Sequence, residues 1–225
     1  MQKEFSLLFH YFYDIITIME RWHSKEEHRT GIYFNPNHTD FYNAVNHSQI
    51  YIDKTELIQY TNSVLFGEQK YICVSRPRRF GKSMAANMLT AYYSRGCDSR
   101  GLFQGLKIAT HPDFEKYLNQ YNVIHLNMRD YLTESENMKQ LIQFVEDDLL
   151  DELQQEFSDL RMPRRKTLVK VLEQAFAQYK IPFVFIIDEW DCIFRVHKSD
   201  AASQKDYLDF LRNLLKDKSY IALAY

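Results

Sequence analysis

A chain of 225 residues, 45% of them apolar and 26% charged, has an ordinary globular composition and is long enough to bury one sizeable α/β core. Its net charge of −2 excludes a chain-wide basic footprint for nucleic acid and leaves only a local basic patch as a route to that partner. No stretch approaches the roughly 20 uninterrupted apolar residues of a membrane span, so no membrane partner is expected.

Taken in chain order, residues 1–30 read as an N-terminal helical extension. Within 5–22, Leu8, Tyr11, Phe12, Ile15, Ile18, Met19 and Trp22 recur at helical spacing. Glu4, His10 and Asp14, with no small-residue cleavage site following, set this stretch apart from a signal peptide. The polar run 23–30 is its linker. Residues 31–46 read as a loop, with Asn35-Pro36-Asn37 as a turn signal. Next, Asp53 or Thr55 caps a helix that begins near Lys54. This segment is either a capped surface helix or a wrapping for the base of a bound nucleotide.

The apolar run Tyr71-Ile72-Cys73-Val74 predicts a first core strand over 71–75, followed by a helix to about Ser94 that Gly96 stops. A short helix over 112–120 and a second strand over 123–127 follow, with His125 read as a structural strand histidine. Leu141, Ile142, Phe144, Val145, Leu149, Leu150, Leu153 and Phe157 form the stripe of a long helix over 138–160. The acidic residues on its other face, Glu146 through Asp159, read as a solvated surface and match no coordination loop. A helix over 167–179 leads to the unbroken apolar run Phe183-Val184-Phe185-Ile186-Ile187, which fits a parallel strand buried on both faces. A helix over 203–215 and a last strand over 220–225 close the pattern. Four apolar strands alternating with helices predict an open, mostly parallel α/β sheet flanked by helices. The three cysteines, Cys73, Cys97 and Cys192, are scattered without metal spacing and read as reduced thiols of a cytoplasmic protein.

Two stretches carry chemistry. Ser75-Arg76-Pro77-Arg78-Arg79-Phe80-Gly81-Lys82-Ser83 lies between a predicted strand and a predicted helix, the context of a phosphate-binding P-loop. Backbone N–H groups of such a loop and the helix N-terminus converge on one concavity where the helix dipole favours an anion. Lys82 would reach the β- and γ-phosphates and the Ser83 hydroxyl would ligate magnesium. The motif departs from G-x-x-x-x-G-K-[ST], because Arg76 stands at the first glycine position, in a chain with six glycines in all. The second stretch is Asp188-Glu189, at the end of the apolar strand. In open α/β sheets ligands bind at the carboxyl ends of strands, so both stretches can meet there. Asp188 is placed to hold magnesium, and Glu189 to polarise an attacking water. The strand at Val123, between the two stretches in the chain, favours ATP hydrolysis over phosphoryl transfer to a metabolite.

These residues resemble the AAA-ATPase-like proteins of bacteria and archaea. The resemblance rests on Tyr51-Ile52-Asp53-Lys54-Thr55, the loop 75–83 with its Arg-Pro-Arg-Arg-Phe-Gly-Lys-Ser run, Leu102-Phe103-Gln104-Gly105-Leu106, and Ile186-Ile187-Asp188-Glu189-Trp190-Asp191. It covers roughly residues 31–225 and implies a P-loop NTPase fold for that domain. It also implies ATP and magnesium as ligands, with Arg78, Arg79, Phe80, Gly81, Lys82, Ser83, Asp53 and Lys54 on the nucleotide, Ser83 and Asp188 on the metal, and Lys82 and Glu189 as catalytic residues. Family members generally continue through a further strand and helical region, often to a nuclease domain, which implies a domain incomplete at its C-terminus. Two other readings stay open: a nucleotide-binding interaction module without turnover, and the ATPase part of a nucleic-acid-processing system. No sensor residue is identifiable, and Arg76, Arg78 and Arg79 are the candidates for positive charge supplied in cis. No feature of the sequence identifies a protein partner.

Overall fold

The computed structural model describes residues 30–75 and 80–225. The extension expected over 1–30 therefore lies, but for its last residue, outside the described residues, as do Arg76, Pro77, Arg78 and Arg79.

Among the described residues the sheet has three strands, all parallel, in the order β1 (Asn122–Asn127), β2 (Phe183–Asp188), β3 (Ile221–Ala224). Strand side chains alternate between faces, and here each face meets its own helical layer. On one side Val123, Val184, Ile186, Ala222 and Leu223 pack with the helix Lys82–Tyr93. On the other, Ile124, Leu126, Phe183 and Phe185 pack with the helices Met138–Glu156, Leu168–Tyr179 and Ala201–Leu215. The chain is thus α/β, a small parallel sheet covered on both faces. That is why β2 reads as an unbroken apolar run instead of an alternating one. In β3 the strict alternation breaks: Ala222 and Leu223 share a face, matching a register shift opposite Phe183 and Val184.

In chain order the helices are α1 (Thr39–His47), α2 (Glu56–Val64), α3 (Lys82–Tyr93), α4 (Arg100–Phe103), α5 (Phe114–Tyr117), α6 (Met128–Glu134), α7 (Met138–Glu156), α8 (Leu168–Tyr179), α9 (Cys192–Val196) and α10 (Ala201–Leu215), with a 3₁₀ turn at Lys107–Thr110. Helix α1 lies where a loop was expected. Asn37 accepts the Thr39 N–H at 2.9 Å, and Phe41 and Ala44 bury one face.

The strand expected over 71–75 is a correction. Only Tyr71 bridges β3, with the Ile72 N–H on the Ala224 carbonyl at 2.8 Å and the Ala224 N–H on the Lys70 carbonyl at 2.9 Å. The ladder with β3 goes no further than Ile72, and Tyr71, Cys73 and Ser75 are exposed. Space also reorders the strands. It is β3 that stands between this edge segment and β2, while β1, the Val123 strand, lies on the outer side of β2.

The acidic face of α7 is only in part a solvated surface. Glu152 accepts the N–H groups of Ile32, Tyr33 and Phe34 at 2.7–3.0 Å, Glu156 pairs with Arg95, and Asp148 accepts the Tyr131 hydroxyl at 2.9 Å. Gly31 is required beside this clamp, since a Cβ there would stand 2.4 Å from Glu152 Oε2 and 2.5 Å from the Phe34 carbonyl oxygen.

Helices α2 and α3 are joined by a buried polar network. The Tyr93 hydroxyl donates to Asn62 Oδ1 at 2.7 Å and lies 2.7 Å from Thr61 Oγ1. Asn62 Nδ2 donates to the Tyr92 hydroxyl at 3.1 Å, which in turn donates to the Phe114 carbonyl at 2.8 Å. Each of these buried groups has a partner, as a buried polar group requires. Cys73 is exposed, Cys97 and Cys192 are buried, and all three are unpaired thiols.

Candidate functional site

Helix α3 begins at Gly81, whose backbone is left-handed (φ +78°, ψ +29°). An added Cβ would meet Lys54 Nζ at 3.5 Å, an ordinary contact. Glycine is therefore suited to this position by its backbone conformation and not by a lack of space. The same contact brings the Lys54 ammonium against the start of α3, where the unpaired N–H groups of the first helical turn also gather.

Lys82 and Ser83 occupy that first turn. Lys82 borders a cavity of about 270 Å³ shared with Asp53, Lys54, Phe80 and Gly81. It also borders a small one of about 40 Å³ shared with Asp188, Glu189 and Asp191. Ser83 and Asp188 both border a polar cleft of about 550 Å³ with Asn87, Thr90, His125 and Asn127. Lys82, Ser83, Asp188 and Glu189, which the sequence nominates from two separate stretches, thus share the walls of adjoining cavities. The position of Asp188 comes from the β1–β2 register, which pairs it with Asn127 at the carboxyl end of both strands.

Asp53 and Lys54, nominated together, are placed differently. Asp53 Oδ1 accepts the Thr55 N–H (2.8 Å) and hydroxyl (2.7 Å), and its Oδ2 accepts the Lys107 N–H at 2.8 Å. Burial pushes this carboxyl up, but the hydrogen bonds from Thr55 and Lys107 outweigh it and hold the group below its usual 3.8. Both Asp53 oxygens are engaged within the protein, while Lys54 is exposed on the cavity wall. Arg78 and Arg79 lie outside the described residues.

His125 Nδ1 is 3.0 Å from Thr90 Oγ1. Burial lowers its pKa below 6.5, opposed by the charges of Asp188 and Asp40. It is held as a strand histidine is expected to be, while its ring forms part of the cleft wall.

Glu189 stands just past β2 in a left-handed conformation, φ +52°, unusual for a residue with a side chain. Its carbonyl accepts the Cys192 N–H at 2.9 Å, closing a turn into α9. Its Oε2 accepts from Arg195 Nη2, and the same guanidinium reaches Asp191 Oδ2 at 3.2 Å. The sequence reading overlooks Arg195. The available signal is its position four residues after Asp191, the spacing of an acid–base pair on one helical face.

Among the described residues no group of three or more His, Cys, Asp or Glu side chains could hold a metal ion by itself. A hydroxyl and a carboxylate bordering one cleft, Ser83 and Asp188, suit magnesium, which keeps several waters and takes its other ligands from substrate phosphates. Among the described residues no helix is long and apolar enough to cross a membrane.

Comparison with known proteins agrees with the motifs. No curated protein and no solved structure matches the chain. A family model described as a predicted AAA-ATPase matches residues 37–221, a span that holds the start of α3 and the whole of β1 and β2. On that match, over most of its length, the chain belongs to the AAA-ATPase-like family of predicted AAA-ATPases.

Proposed function

We propose that the chain binds ATP with magnesium at the N-terminus of α3 and hydrolyses it, using a P-loop NTPase domain that spans residues 31–225 and follows a separate extension over 1–30. The reading rests above all on one observation: Lys82 and Ser83 at the start of α3 and Asp188 and Glu189 at the end of β2 border common cavities. Family membership supports ATP as the ligand.

In this reading Arg78, Arg79, Phe80 and Gly81 bind the nucleotide, and Lys82 and Lys54 supply charge to the β- and γ-phosphates. Asp53 acts indirectly, by fixing the turn that carries Lys54. Ser83 and Asp188 would hold magnesium, whose charge would offset that of the phosphates. Glu189 accepts the proton of the attacking water, the part a positioned carboxylate can play near neutral pH.

Titration with ATP in the presence of magnesium tests the site. Lys82→Ala should remove most of the binding, and unaltered affinity would sink the assignment. Glu189→Gln should bind ATP as the parent does and release phosphate about 10²-fold or more slowly, the usual contribution of a general base.

A further inference from the structure

Glu189 is held by a second group. Three carboxylates, Asp188, Glu189 and Asp191, fall within four residues at the carboxyl end of β2. One cation on α9, Arg195, bridges two of them, Glu189 and Asp191. The pair with Glu189 is half-shielded from water, with side-chain exposures of 33% for Arg195 and 20% for Glu189, so it is screened less than a surface pair. Glu189 also carries the φ +52° backbone, a conformation that persists only where the surroundings impose it. The guanidinium takes Oε2 and leaves Oε1 without a hydrogen bond among the described residues. The cavity of about 40 Å³ that Glu189 shares with Lys82 and Asp188 has room for a water.

We propose that Arg195 is a positioning residue for the hydrolysis, holding one oxygen of Glu189 so that the other is available to the attacking water. This rests on the ATPase reading above. In the step concerned, the water oxygen bonds to the γ-phosphorus and its proton passes to Glu189. The bond from the γ-phosphorus to the bridging oxygen breaks, and its electron pair leaves with ADP. The released phosphate or solvent then takes the proton from Glu189. Arg195 itself touches neither water nor nucleotide. It plays the part of the third group that orients a base, and it can do so for Glu189 while also holding Asp191 because its planar fork serves two acceptors.

The test compares wild type, R195A, R195K, E189Q and the double variant E189Q/R195A by ATP binding and by steady-state phosphate release, with a thermal melt confirming that each is folded. R195A should lower kcat by up to roughly 100-fold, the scale of a misplaced catalytic group, while KM and ATP affinity stay as in wild type. R195K should recover part of the loss, since an ammonium can pair with Glu189 but cannot reproduce the fork. In the E189Q background, removing Arg195 should cost nothing further. A wild-type or faster kcat in R195A overturns the proposal, as does an equal loss in both backgrounds or a loss confined to KM. A wild-type chain that binds ATP without releasing phosphate overturns the hydrolysis reading and this one together, whereas a hydrolysing wild type with an unimpaired R195A overturns this one alone.

Discussion

Gly81 carries the strictest demand of any single residue at the site. Its φ of +78° puts an L-residue into a conformation that costs roughly 1–2 kcal/mol, although a methyl group there would meet only Lys54 Nζ at 3.5 Å and Met84 Cβ at 4.0 Å. Gly81→Ala should therefore lower unfolding stability by about that amount in a denaturant titration, and it should weaken ATP binding by disturbing the first turn of α3. A variant as stable as wild type would show that the left-handed backbone is not held in solution. That Lys82, Ser83 and Asp188 border common cavities is legible in the sequence because their residue types are written in contiguous runs, a Gly-Lys-Ser after one apolar run and an Asp-Glu after another. The pairing of Arg195 with Glu189 is not. It depends on a turn at Glu189 that no residue preference announces, since a glutamate in the left-handed region is not what a pattern of side chains predicts.

At the scale of elements, Asp53 joins the start of α2 to the 3₁₀ turn at Lys107–Thr110. Thr55 completes the joint, being fully buried and accepting the Ile108 N–H at 3.1 Å. Asp53→Ala leaves the Lys107 N–H and the Thr55 donors without their acceptor and should cost about 2 kcal/mol. The carboxyl is held below its usual 3.8 in the folded chain, so its contribution is fully present above pH 3.8 and is lost as pH falls through the lower folded value. The stability gap between wild type and Asp53→Ala should then be constant near neutrality and shrink below pH 3.8, as denaturant titrations at stepped pH would show. A gap that widens on acidification would contradict the assignment. The elements themselves are legible where periodicity is long. Helices α7 and α8 and strands β1 and β2 lie within a few residues of where their apolar patterns put them. Two shorter pieces are not. Residues 71–75 carry a strand's composition, but a strand needs a ladder, and β3 offers one only to Ile72. Helix α1 hides behind an Asn-Pro-Asn signal that marks the turn just before its start instead of a longer loop.

For the whole molecule, the shared sheet makes one cooperative unit of two separate apolar clusters. Leu89 of α3 and Leu149 of α7 are both fully buried, on opposite faces. Truncating either to Ala should cost about 3 kcal/mol, lowering Tm by roughly 6–12 °C for a chain of this size. Either variant should still unfold in one transition followed by fluorescence and by circular dichroism, because neither layer keeps its partner surface once the strands separate. Two separated transitions would mean that the layers fold independently. The buried hydroxyl network of Tyr92, Tyr93, Asn62 and Thr61 adds something apolar packing does not supply. Hydrocarbon surfaces tolerate a small slide or roll of one helix on another, whereas hydrogen bonds with fixed directions tolerate neither. Helix α2 is therefore keyed to α3 in rotation as well as in distance, so the backbone just before α2, which carries Lys54, is held in place relative to the start of α3, which carries Lys82. If ATP binds as proposed, the backbone positions of these two lysines are set by folding, and only their side-chain stems remain to be ordered at the moment of binding.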